Sequence, residues 1–333
     1  MKNKQIILKS RPIGTPTNDN FEFQAIDIPT ISKGEILIKS KFISVDPYMR
    51  GRMNDSKSYV PPFELGKALD GGVVAEVIES QSSKFQKGDY ILGNLPWKIY
   101  NQANENKVQK ISSLIQKPIH ALGVLGMPGM TAYFGLLDIT NPQPGETIVV
   151  SGAAGAVGSL VGQIGKIKGC RVIGIVGSDE KAGYITHELN YDQAFNYNTC
   201  KDLKTTLREV CPNGIDIYFD NVGGTISDAV ISNINFGARI SLCGQISLYN
   251  AKEIPVGPRL QPVLLTRSAL MQGFIVKKYA ERFPEGIQQM GQWIKEGKII
   301  SRENIISGFD NIPDAFLGLF RGDNIGKQIV EIL

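Results

Sequence analysis

Short apolar runs, broken every few positions by glycine and proline, fill the first 120 or so residues. Glu35-Ile36-Leu37-Ile38-Lys39, Gly72–Ile78 and Asp89-Tyr90-Ile91-Leu92 are examples. Runs of this length and spacing predict a compact, barrel-like β domain. From Gly145 the texture changes. Thr147-Ile148-Val149-Val150 reads as a parallel strand buried on both faces, because nothing along it alternates. A glycine-rich turn follows, then a helical run to Lys168 and a second apolar strand at Val172–Val176. Further strands are predicted at Gln193–Asn196, Ile215–Phe219, Ala238–Cys243 and Ala269–Ile275, most of them separated by helical patterns. Strand and helix alternating in this way predict a doubly wound parallel sheet.

Beyond about residue 298 the pattern offers a strand at Ile305–Phe309, a helix at Pro313–Phe320 and a last strand at Ile325–Ile329. That is too little for a third domain, so this tail is expected to return to the β domain. The fold class read from the sequence is α/β. Residues 1–122 and 299–333 form the β domain and 123–298 the doubly wound domain. No internal repeat or low-complexity tract is visible.

Composition changes this picture little. At 333 residues the chain is long enough for two domains, since single cores rarely grow beyond roughly 250–300 residues. With 42% hydrophobic and 20% charged residues it is of ordinary globular type. The net charge of +4 is spread out, and the densest cluster, Lys277-Lys278 near Arg282, is too short for a nucleic-acid tail. No apolar run suits a signal peptide or approaches the roughly 18 residues needed to cross a membrane. The four cysteines, Cys170, Cys200, Cys211 and Cys243, lack CxxC spacing and read as intracellular free thiols, so cytoplasm is the expected location.

The loop after Thr147–Val150 carries the candidate chemistry. It fits a dinucleotide fingerprint with Ala153 in the first glycine slot and Gly155 and Gly158 in the other two. Such a loop needs a tight turn, close backbone approach to a pyrophosphate and close helix–sheet packing. Unpaired N–H groups and the positive end of the helix dipole then face the phosphates, here from Gly155, Ala156, Val157 and Gly158. A lone glycine pattern says little, but the preceding strand, the following helix and the second strand are all present. An NAD enzyme ordinarily has an acid at the end of that second strand to grip the ribose 2′-hydroxyl. Gly177 stands there instead, with Lys181 shortly after, which favours the 2′-phosphate of NADPH. The competing reading makes Asp179 and Glu180 plain first-turn helix acids with Lys181 solvated.

A catalytic zinc needs three Cys, His or carboxylate ligands, and a structural one typically four cysteines. No cysteine precedes Cys170, and the histidines are His120 and His187. No metal is expected.

With these features together the chain resembles the zinc-independent medium-chain dehydrogenase/reductases. Within them it is similar to the alkenal/one double-bond reductases, a group holding leukotriene B4 dehydrogenase/prostaglandin reductases, plant double-bond reductases and bacterial curcumin reductases. The resemblance rests on Asp46–Met53 (DPYMRGRM), Gly123–Tyr133 (GVLGMPGMTAY), Phe219–Gly224 (FDNVGG), Cys243–Asn250 (CGQISLYN) and Gly322–Lys327 (GDNIGK). These span nearly the whole chain and are far more specific than the glycine loop. With Met290–Trp293 (MGQW) they look most like the bacterial curcumin-reductase branch.

The resemblance implies a GroES-like β-barrel domain, a Rossmann domain and a homodimer. It implies that Lys181 and Tyr197 flank the 2′-phosphate. Asn221 and Cys243, Gly244, Gln245, Ile246, Ser247 and Tyr249 follow strand ends, where a doubly wound sheet binds ligands. Thr131, Phe274, Ile275, Val276 and Asn324 would line the nicotinamide end. Asn221 and Thr131 also read as simple capping residues, and Tyr197 as an ordinary strand residue. Arg50 and Arg52 read as surface ion pairs in preference to a lure for acidic substrates.

The implied reaction saturates the double bond of an α,β-unsaturated ketone or aldehyde. Hydride goes to the β-carbon while charge gathers on the carbonyl oxygen as an enolate. A neutral phenol suits that oxyanion, being protonated below its ordinary value near 10. Tyr249 and Tyr48 match the group's two active-site tyrosines, Tyr249 as first choice; the alternative for each is packing with an incidental hydrogen bond. Two other functions remain on this scaffold: a quinone oxidoreductase, and a non-catalytic NADPH-binding protein.

Overall fold

The computed structural model describes residues 2–112, 115, 117–253 and 255–333. The chain divides into two compact units, one of residues 1–122, 303–324 and 328–333, the other of 123–302 and 325–327.

In the first unit, β1 (Asn3–Leu8) and β2 (Phe21–Ile26) form an antiparallel pair. They are followed by β3 (Glu35–Ser44), the short helix α1 (Met49–Arg52), β4 (Asp70–Ser80), β5 (Tyr90–Pro96), β6 (Tyr100–Asn104) and β7 (Gln109–Lys110). Strand β3 alternates as a half-buried strand should: Ile36 and Ile38 have no exposure, while Glu35, Leu37 and Lys39 between them are half-exposed. It pairs antiparallel with both β4 and β6.

The second unit opens with helix α2 (Met127–Thr140), then runs β8 (Thr147–Ser151), α3 (Gly158–Ile167), β9 (Arg171–Val176), α4 (Asp179–His187), β10 (Gln193–Asn196) and α5 (Leu203–Val210). It continues through β11 (Ile215–Asp220), α6 (Gly224–Ile231), β12 (Ile234–Leu242), α7 (Gln261–Thr266), β13 (Leu270–Gly273) and α8 (Phe283–Lys295). The six strands are all parallel, in the order β10-β9-β8-β11-β12-β13. Chain order reverses beside β8, so its carboxyl end and that of β11 flank the topological switch point, the place where such sheets hold ligands. All five residues of β8 are buried, as its unbroken apolar run requires.

The chain returns to the first unit with β14 (Glu303–Ser307), α9 (Ile312–Arg321) and β15 (Lys327–Glu331). The sheet there has the order β14-β15-β3-β4-β5-β7, with β6 on β3. Phe316 of α9 anchors its core, meeting Phe21, Trp97 and Phe320 edge-on at 6.3, 6.4 and 5.3 Å. The strand expected at Ile305–Phe309 lies two residues earlier, because Phe309 opens a 3₁₀ turn and buries its ring. The strand expected at Ala269–Ile275 is trimmed at both ends, with Phe274 turned into the core beside α2. Among the described residues no helix is long and apolar enough to cross a membrane.

Candidate active site

The loop from β8 to α3 owes its shape to three glycines. Gly152 makes the tight turn at φ +60°, a conformation costly for any residue with a Cβ. The turn therefore sits one residue before Ala153, where the fingerprint's first slot falls, and alanine there is harmless. Gly158 is the tightest point: a Cβ on it would lie 2.4 Å from the Gly152 carbonyl oxygen. The N–H of Gly155 donates to that same oxygen at 3.0 Å. Among the described residues the N–H groups of Ala156, Val157 and Gly158 have no protein acceptor, as befits a helix start that receives an anion.

Beyond β9, Gly177 is overlaid by Tyr197, whose phenol oxygen would lie 3.3 Å from a Cβ on that glycine. A side chain here would need the exposed Tyr197 ring to give way by a few tenths of an ångström. The Gly177 carbonyl accepts from Asn198 Nδ2 at 2.9 Å. Ser178 caps α4 by accepting from the Lys181 N–H at 3.2 Å, which sets Lys181 in the first turn, half-buried. Asp179 is engaged by Asn196 Nδ2 at 2.9 Å. A cation and a phenol are thus grouped around a strand end whose nearest acid already has a partner.

The third cluster grows from Asp220, fully buried at the end of β11. Its Oδ1 accepts from the Tyr218 hydroxyl (2.8 Å), Ser151 Oγ (3.0 Å) and the N–H groups of Val222 (3.0 Å) and Gly223 (2.9 Å). Its Oδ2 accepts from Ser227 Oγ at 2.8 Å, and its backbone carbonyl from the N–H groups of Cys243 and Gly244. Through its carboxylate and its backbone carbonyl this one residue ties together the ends of β8, β11 and β12. Asn221 donates from Nδ2 to the Ser151 carbonyl at 2.8 Å. Gly223 and Gly224 have φ of +74° and +60° and lie against Gln245 and Ser247. Ser247 Oγ donates to the Val222 carbonyl at 2.6 Å.

On this platform the chain turns through Ile246–Leu248 to Tyr249. The Tyr249 phenol oxygen accepts from the Gln245 N–H at 3.3 Å, and among the described residues its own proton has no acceptor. Burial raises its pKa above the ordinary tyrosine value. Desolvation, with Asp220 close by, pushes the Cys243 thiol up to about 12, so it stays protonated.

Other expected site residues fall more variously. Thr131 spends its hydroxyl on the Met127 carbonyl one turn back, at 2.7 Å. Phe274 packs its ring against Phe219 and over Gly135, where a Cβ would lie 2.4 Å from it; Ile275 is exposed and Val276 half-buried. Asn324 is half-buried, two residues ahead of Gly326.

In the first unit Tyr48 opens α1 and packs against the core. Burial, then the nearby Asp46 carboxylate, pushes its pKa well above the ordinary value, and among the described residues its hydroxyl has no hydrogen-bond partner. The reading of Arg50 and Arg52 as surface pairs is corrected. Arg50 is buried and donates to Asn54 and to the Pro12 and Gly14 carbonyls. Arg52 grips Asp70 with both terminal nitrogens, at 2.5 and 2.9 Å, with its guanidinium over the Phe63 ring. Both brace the loop around Tyr48.

Among the described residues no group of three His, Cys, Asp or Glu side chains converges as a metal site. The donors present do not fit zinc. His120 faces Glu303 at 4.0 Å with burial lowering its pKa, while burial pushes the Cys170 and Cys211 thiols up to about 11.

Two family models match. Residues 4–111 fit an N-terminal domain of oxidoreductases, and 156–293 a domain described as a zinc-binding dehydrogenase. The chain is 54% identical to YfmJ of Bacillus subtilis (strain 168), named as an NADP-dependent oxidoreductase, over 99% of this chain and 97% of that one. It is 44% identical to the NADPH-dependent curcumin reductase of Escherichia coli (strain K12), again over 99% and 97%. Among solved structures, CurA of Vibrio vulnificus in complex with NADPH superposes with a TM-score of 0.95 at 46% identity, covering 99% of both chains.

Proposed function

Because this chain belongs to the zinc-independent medium-chain dehydrogenase/reductases, we propose that it is an NADPH-dependent reductase of the carbon–carbon double bond in α,β-unsaturated ketones and aldehydes. The group's NADP-dependent members and the NADPH complex of a 46% identical relative make NADPH its reductant. When bound, NADPH supplies the hydride that reaches the β-carbon. The glycine cradle and the unpaired N–H groups of Ala156, Val157 and Gly158 suit a pyrophosphate. Lys181 and Tyr197 suit a 2′-phosphate, at a strand end where Gly177 stands in place of the carboxylate an NAD site needs.

The observation that carries the reading is the Tyr249 hydroxyl: it accepts from Gln245 and keeps its own proton to give. In this reading it donates to the carbonyl oxygen as enolate charge develops there, a preorganised donor of the oxyanion-hole kind. Tyr48 of the first unit is likewise held protonated and is to be tested beside it.

The test is a panel of enones, enals and simple quinones offered with NADPH and, in parallel, NADH. The expected result is NADPH oxidation with saturated ketone or aldehyde as product and the carbonyl intact. No turnover on any enone or enal sinks the proposal, and faster turnover of quinones moves it to the quinone reductases. In the same assay Lys181→Ala is expected to raise KM for NADPH about tenfold, the loss of one charge-assisted contact worth ~1.4 kcal/mol, and to leave NADH kinetics unchanged.

We also propose that the protein is a homodimer joined along β13. That strand ends the sheet with one edge unpaired, and Leu270, Leu265 and Phe236 lie exposed on neighbouring elements of the same unit. Sedimentation should give a dimer, and Leu270→Lys should shift it toward monomer; a monomeric wild type refutes this.

A further inference from the structure

Two stretches of the second unit far from the glycine loop in sequence close onto it. The first is 299–302, after α8. Gln163 of α3 holds it as a peptide would, accepting from the Ile300 N–H at 2.7 Å and donating to the Ile300 carbonyl at 3.0 Å. The second is 325–327. The Lys327 N–H donates to the Arg302 carbonyl at 2.9 Å, so the two stretches are bonded to each other.

Gly326 lies where they meet the loop. Its N–H donates to the Ala154 carbonyl at 2.8 Å, and it forms a parallel bridge with Gly155. Only glycine suits this point. Its φ is +77°, and a Cβ would lie 2.1 Å from the Arg302 carbonyl oxygen, far inside contact distance. The junction also touches α4, where the Arg302 guanidinium lies 4.9 Å from the ring centre of the buried Tyr184.

We propose that Gly326 is a positioning residue for NADPH. Its backbone fixes the Ala154–Gly155 peptide and with it the N–H groups of Ala156, Val157 and Gly158 that receive the pyrophosphate. The inference rests on the cofactor reading above. The loop is otherwise held by the Gly152–Gly155 bond, by the Ala153 N–H on the Ile175 carbonyl and by the Ser159 N–H on the Gly155 carbonyl; the bond from Gly326 engages the carbonyl left between them, that of Ala154, before the cofactor arrives. Preorganisation of this kind lowers the ordering cost of binding, so it is felt in affinity more than in the chemical step.

Gly326→Ala in the full chain forces the 325–327 stretch away from Arg302 and off the loop. The expected result is NADPH binding, read by nicotinamide fluorescence, weakened about tenfold or more, since a shift of about 1 Å in a positioned group costs on that order or above. Hydrogen exchange in 152–158 of the free protein should quicken, and kcat at saturating NADPH should stay within about threefold, a split that general destabilisation does not produce. Gln163→Met cuts the other end of the clasp and leaves Gly326 and residues 152–158 unchanged, giving up besides only the Nε2 bond to the Ser159 carbonyl at 2.9 Å. It is expected to weaken NADPH binding about threefold in the same sense, and it decides the matter if the alanine variant does not fold. Wild-type protein that fails to bind NADPH refutes the cofactor reading itself. Wild-type binding with both variants unchanged, or a loss confined to kcat, overturns the role of Gly326 alone.

Discussion

Tyr249→Phe is expected to lower kcat by 10²–10³, or about 2.7–4 kcal/mol, the usual cost of losing one oxyanion donor. The change deletes one oxygen and leaves a ring of the same shape. The Gln245 N–H loses its acceptor, but Gln245 is exposed and water replaces it. The structural cost is therefore small, and NADPH affinity should change less than about twofold, within the scatter of surface substitutions. The effect should appear equally in kcat and kcat/KM for an enone, as for a contact made only in the transition state. Tyr48→Phe should act in the same direction. Burial raises the pKa of both phenols, so any alkaline fall in kcat from their ionisation should come above the ordinary tyrosine value near pH 10. A Tyr249→Phe enzyme with wild-type kcat would leave Tyr249 as a packing residue and take the oxyanion assignment with it.

How much of this was legible in the chain depends on whether a feature is local. The parallel strands were, because burial on both faces leaves an unbroken apolar run such as Thr147–Val150, and all five residues of β8 are indeed buried. Helix α2 left no such trace. Ten of its fourteen residues are buried, so it has no polar stripe to mark a 3.6-residue period. The turn glycine Gly152 was within reach, since it adjoins Ala153, but sequence alone does not say which residue takes positive φ.

The candidate site divides the same way. Lys181, Tyr197 and Gly177 follow strand ends, and their grouping comes from the parallel register of β9 and β10. Gln163 and Arg302 were invisible, and Gly326, although it stands in the GDNIGK motif, gave no sign of its partners: the three meet across long stretches of sequence. Thr131 and Asn221 illustrate the limit from the other side. Each sits in a specific motif, yet each spends side-chain hydrogen-bonding capacity on a protein carbonyl. Whatever they give to a ligand comes from the atoms that remain.

Asp220 is where fold and site depend on one side chain, and its removal should have the largest effect on stability. Five donors converge on its carboxylate, from Ser151, Tyr218, Val222, Gly223 and Ser227, all within 2.8–3.0 Å and out of reach of solvent. Asp220→Ala leaves them facing a cavity. Each buried donor that finds no new acceptor costs about 1–3 kcal/mol, so urea unfolding of the second unit should show a loss of at least about 3 kcal/mol. Asp220→Asn keeps the shape and one acceptor oxygen, so its loss should be smaller, about 1.5–3 kcal/mol for weakened bonds to a formerly charged group. The Asn variant is the more telling for function. Its amide presents N–H to one side of a ring of donors, which disturbs the turn through Val222 and Gly223 on which Gln245 and Ser247 rest. Since Tyr249 takes its place from that turn, Asp220→Asn should lower kcat for an enone while the folded fraction stays above nine-tenths in the absence of urea, given stability of the usual 5–15 kcal/mol. If both variants unfold at the wild-type urea midpoint, the five hydrogen bonds contribute nothing net and the hub is incidental.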